Sequence, residues 1–146
     1  MGEVIGQKHV RAKLRFDYRG VIKPSRFLFG AKNTERVAEE TREQQIALLR
    51  NVPLQGLQIE DTNTSFEIYH IYDEELGTEI AFAPAEVIVR ADSLEEILRF
   101  IMKEEFRKIE VLEPDEFNLS RYELERLLFK VNSETRNFIQ YLQRRL

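Results

Sequence analysis

The chain has 146 residues, of which 42% are hydrophobic and 33% charged, with a formal net charge of −4 and no cysteine. That length and composition fit one domain with a real core, and no apolar run approaches the roughly 18 residues of a membrane-spanning helix. The absence of cysteine excludes disulfides, thiolate metal ligands and cysteine nucleophiles together. The net charge hides a segregation: residues 1–32 carry +6, residues 33–125 carry −14 and residues 126–146 carry +4. Such asymmetry suggests a polar interaction surface, or charges satisfied internally or between subunits. The first residues, Met-Gly-Glu-Val-Ile-Gly-Gln, hold no basic stretch followed by an apolar one, so a cytoplasmic location is the expectation.

Residues 1–7 read as a frayed leader. From His9 to Arg19 every second residue is apolar (Val10, Ala12, Leu14, Phe16, Tyr18), which predicts a strand over about 8–18 with one face on a core. Arg19-Gly20 suggests a turn that uses glycine's access to positive φ. A second strand is expected at 21–29, on an edge or bulged at Pro24, which cannot donate to a ladder. Gly30 to Thr34 then leads into a helix over about 35–51, capped by Thr34 or Asn33 and stopped by Pro53.

Short strands follow at 57–60 and 66–72, with a turn expected at Asp61-Thr62-Asn63 between them. A hairpin loop containing Gly77 returns the chain along 78–90, with a bulge or bend expected at Ala83-Pro84. Ser93 and Glu96 have the spacing of a capping box. Leu94, Ile97, Leu98, Ile101 and Met102 behind it form one apolar helical stripe. A strand from Lys108 to Leu112 follows. Ser120 and Glu123 make a second capping box, opening a helical pattern to the C-terminus that Asn132-Ser133 is expected to divide. The order is β-β-α-β-β-β-α-β-α, an α+β fold with a mainly antiparallel sheet and helices packed on one face, in a single domain. Residues 86–112 have the strand-helix-strand pattern of one parallel crossover.

The basic strand is the feature that hints at a partner. Alternate cations on a strand stand roughly 6.6–6.8 Å apart, comparable to phosphates along an extended single strand. Arg11, Lys13, Arg15 and Arg19, extended by Lys23 and Arg26, are therefore the candidate polyanion-binding set, with nucleic acid or an acidic protein surface as partner. Phe16 and Tyr18 lie on the opposite face from the cations, so they serve the core rather than base stacking. The competing reading is a ladder of cross-strand ion pairs with acids such as Glu67 or Glu79.

Lys32, Asn33 and Thr34 form a candidate anion site at a helix start, although the phosphate-loop spacing of glycines and lysine is absent. His70 shares a strand face with Phe66, Ile68 and Tyr72 and reads as a hydrogen-bonded core residue; His9 and His70 lack the spacing of a metal site, and no metal or cofactor is expected. No G-x-S-x-G, H-E-x-x-H or dinucleotide fingerprint is present, so a non-catalytic binding protein is favoured over a small-molecule enzyme whose site the sequence does not reveal. In the C-terminal helix Leu124, Leu128, Val131, Thr135, Phe138 and Leu142 alternate steps of four and three. This seam is expected to pack on the sheet. The alternative is a homodimer interface, with Phe138 and Leu142 as its residues.

Overall fold

A computed structural model describes residues 9–20 and 33–145. Its elements are β1 (Val10–Arg19), α1 (Thr34–Asn51), β2 (Leu57–Asn63), β3 (Tyr69–Asp73), β4 (Thr78–Ala91), α2 (Leu94–Ile101), β5 (Phe106–Glu113) and α3 (Arg121–Arg144). The leader at 1–7, the strand expected at 21–29 with its Pro24, and Lys23, Arg26 and Lys32 lie outside the described residues. The strands form one antiparallel sheet in the order β2-β4-β1-β5. β3 also pairs with β4. Phe82 of β4 lies opposite both Arg19 and Tyr69, so β3 continues the edge that β2 occupies. With β3 set aside, the two helical connections β1-α1-β2 and β4-α2-β5 each skip over one strand, an interlocked pair of split β-α-β crossovers with ferredoxin-like connectivity. The crossover expected over 86–112 is the second of these.

The core lies on one face of this sheet. Val10, Ala12, Leu14, Phe16 and Tyr18 of β1 are each at most 4% exposed. Their neighbours Ala85, Val87, Val89 and Ala91 of β4 are fully buried. Ile46 of α1 and Ile97 and Phe100 of α2 close the cluster, and the Phe16 ring meets Phe100 edge-on at 5.6 Å. Burying each such side chain stabilises the fold by about 1.5–3 kcal/mol. Alanines at 81, 83 and 85 leave room for α1 to come close, which is why Ala38 is fully buried. Gly20 extends this close approach: a Cβ there would stand 2.1 Å from the Thr34 carbonyl oxygen. Its φ is not positive, so this contact, not a turn, demands glycine. Thr34 seals the junction, its hydroxyl donating to Gly20 O (2.7 Å) and accepting from Ala81 N–H (2.8 Å).

Several local expectations are corrected. β4 runs through Pro84 without a register shift. The Asp17 N–H bonds to Glu105 O, towards β5, so Asp17 and Pro84 form a non-hydrogen-bonded pair. The missing donor of Pro84 therefore points away from β1, into the gap between the end of β2 and the start of β3. Its carbonyl in that gap is satisfied by Arg42 Nη1 (3.0 Å), which also donates to Phe66 O (3.1 Å). Asp61–Asn63 is strand rather than turn, because a bulge between Ile59 and Asp61 lets pairing with β4 continue. Ser93 caps α2, but Glu96 turns to Arg99 instead of closing the box. Ser120 and Glu123 close theirs in both directions. α3 passes Asn132-Ser133 unbroken and packs chiefly on α2 rather than on the sheet. Among the described residues no helix is long and apolar enough to cross a membrane.

Candidate interaction surfaces

The face of the sheet opposite the core carries the cations of β1. Strand alternation places Arg11, Lys13, Arg15, Asp17 and Arg19 there, beside Glu86 and Arg90 of β4 and Lys108, Glu110 and Glu113 of β5. Every candidate cation of β1 has a carboxylate neighbour. Arg11 Nε lies 2.6 Å from Glu60 and its Nη1 3.6 Å from Glu113. Lys13 Nζ is 3.6 Å from Glu110. Arg15 grips Asp17 at 2.8 and 3.2 Å, and Arg19 meets Asp73 at 3.0 Å. Glu60 sits at the β2 bulge and also holds Arg90 at 3.0 Å. These hydrogen bonds, Arg11's first, hold the Glu60 carboxyl below the usual carboxylate range and raise Arg11 in turn. The partners are these acids rather than Glu67 or Glu79. The face is a mosaic of alternating sign, not a basic stripe.

Asp17 occupies one of the alternating polar positions of β1, yet its side chain is only 3% exposed. Tyr69 donates its hydroxyl to Asp17 Oδ2 (2.6 Å), and Arg107 Nε approaches the same oxygen at 3.9 Å. Burial, and then the bond to Asp17, pushes the Tyr69 phenol up; the bond to Asp17 raises Arg15. Tyr69 stacks on Phe82 (5.3 Å, 15°), and the Arg107 guanidinium lies over Phe82 at 5.8 Å. The sequence holds no local sign of this cluster, since its members come from four strands. A cleft of about 690 Å³ beside it is lined by Arg19, Asp73, Glu104, Arg107 and Arg145 among others. These charges pair with one another or with Asp17.

The proposed anion site has its side chains engaged elsewhere. Asn33 accepts from Arg36 N–H (2.8 Å) as the α1 cap, and Thr34 bridges Gly20 and Ala81. His70 is not a core residue. It lies on the helix side of β3 with its side chain 34% exposed and Nε2 3.8 Å from Glu35. Among the described residues no cluster of His, Cys, Asp or Glu suits a metal ion.

The second surface is α3, held to α2 by polar contacts. Glu134 is its one buried residue, 3.2 Å from Lys130 and 3.6 Å from Arg99 of α2. Arg126 reaches Glu95 of α2 at 2.8 Å, and Arg145 pairs with Glu104. With that side used, the first half of the seam turns outward: Leu124 is 45%, Leu128 59% and Val131 39% exposed, and Ile139 beside the seam is 48% exposed. Phe138 and Leu142 are half-buried. Phe138 stacks on Tyr141 and lines a cleft of about 340 Å³ with Met102, Lys103 and Glu134. The Lys103 ammonium sits in that cleft wall 3.8 Å over the Phe100 ring, and burial lowers its pKa. The chain matches no protein-family model, no curated protein and no solved structure.

Proposed function

We propose that this chain is a protein-interaction module whose docking element is α3. One observation carries the reading. A helix of 24 residues buries a glutamate against its neighbour and leaves leucine, valine and isoleucine side chains in a row on its surface. An apolar row of this kind is unfavourable in water and is a common signature of a binding face. Polyanion binding through Arg11, Lys13, Arg15 and Arg19 is the weaker reading. A phosphate would have to displace a carboxylate from each of these cations, and the acids flanking them would repel it.

The docking reading requires that the stripe contribute little to the domain's own core. Leu128→Glu is therefore expected to stay folded, with a dispersed amide NMR spectrum and a stability loss under about 1 kcal/mol, as for an exposed site. A buried leucine given the same charge would unfold the domain. Collapse of the spectral dispersion in Leu128→Glu would place the stripe in the core and overturn the reading.

A further inference from the structure

We infer that the occupant of the α3 stripe is a second copy of this chain, its α3 running antiparallel about a two-fold axis near Ser133. The inference rests on the docking reading and adds the partner and its orientation. Three features of the stripe select a second copy.

The first is spacing. The steps from Leu124 to Leu142 run four, three, four, three, four, and this series reads the same from either end. Reversed upon itself, it sets Leu124 level with the partner's Leu142, Leu128 level with the partner's Phe138, and Val131 level with the partner's Thr135. Each rung then sets two uncharged side chains level with one another, as the layers of a two-helix seam require. A two-fold interface requires such self-complementarity.

The second is polarity. The stripe between Leu124 and Leu142 holds no charged residue. The flanking residue beside the axis is Asn132, whose amide both donates and accepts and so can pair with its own copy.

The third is charge. Antiparallel pairing opposes the two helix dipoles and brings Glu125 to the same end as the partner's Arg144. Parallel pairing would bring the C-terminal arginines of the two copies together. Since α3 packs chiefly on α2, an antiparallel pair of α3 helices joins the two copies through their helical layers.

The chain has no cysteine, so one introduced thiol labels one position. Light scattering on the full chain gives the mass, and spin labels on Gln143→Cys give the distance between copies. The expected result is a mass that rises with concentration from 17.4 kDa towards twice that value. The expected label separation is about 30 Å along the helix axis, from 1.5 Å per residue on either side of the two-fold. Leu128→Glu is expected to raise the dimer dissociation constant by roughly 100-fold or more, because a charge replaces a buried leucine. A mass that stays monomeric, or a label separation near the roughly 10 Å width of one helix, would overturn the inference. If Leu128→Glu remained folded in either case, docking through α3 would stand and only the second copy or its orientation would fall.

Discussion

Gly20 shows how one position can couple two elements. It ends β1 and lies under the first turn of α1, where an added Cβ would stand 2.1 Å from Thr34 O and 2.8 Å from Ala38 N. Both obstacles are backbone atoms, so relief would require the whole helix start to move, and the Thr34 hydroxyl would lose its place between Gly20 and Ala81. Gly20→Ala is expected to cost about 3 kcal/mol, at the upper end for overpacking, read as a shift of the urea midpoint with unchanged slope. A loss below about 0.5 kcal/mol, the range of neutral surface changes, would mean that α1 does not approach β1 this closely. Asp17 is a residue of the same kind. Its environment is made by Arg15, two residues away on the same strand, and by Tyr69 and Arg107, which reach it from other strands. Tyr18, its neighbour on the core side, has its phenol pushed up by burial.

Among the elements, β4 is the one whose sequence looked least regular and whose structure is most so. Proline inside a strand usually marks an edge or bulge because it removes a ladder donor. Here the missing donor faces the gap between β2 and β3, where none of the described strands pairs with it, and Arg42 of α1 spans that gap to hold the Pro84 and Phe66 carbonyls. Arg42 is 9% exposed and its Nε has no partner among the described residues, so the bridge is made at some desolvation cost. Arg42→Met keeps the apolar stem but leaves both carbonyls unpaired. A stability loss of about 1–3 kcal/mol is expected, the usual cost of unsatisfied buried acceptors and lost charged hydrogen bonds. Urea unfolding would read this loss, and an unchanged midpoint would show that the guanidinium does not secure the gap.

For the whole molecule, the balance of charge is decided by the sheet. β1 is central, and the acids of β2 and β5 come to lie beside its cations from both sides. Exposed pairs of this kind are individually weak, about 0–1 kcal/mol each. Together they remove the positive field that a phosphate chain would seek. Labelled single-stranded RNA titrated with the protein in low salt is therefore expected to show no saturable anisotropy change up to about 100 μM, the weak limit of non-specific binding. Micromolar binding that collapses with salt and is lost in Arg11→Glu would restore the polyanion reading. The polar contact between α2 and α3 has the opposite consequence for apolar surface, since it leaves the stripe of α3 outside the domain.

Much of this fold was legible from local pattern. The period-two alternation of β1, the hairpin at Gly77, the apolar stripe of α2 and the caps at Asn33, Ser93 and Ser120 each depend on residues close in sequence, and alternation and capping are local physics. The α+β class and the antiparallel sheet followed from them. Strand order did not, and three outcomes hung on it. The neighbours of Arg11, Lys13 and Arg15 depend on which strands flank β1. The tolerance of Pro84 depends on where β2 ends and β3 begins. The burial of Asp17 depends on four strands meeting. The C-terminal seam is the sharpest division between the two levels. Its spacing was determined by the sequence alone, but whether it faces the sheet or water was decided by the Arg126–Glu95 and Arg99–Glu134 ion pairs that turn the other side of α3 towards α2, contacts that exist only once the chain is folded.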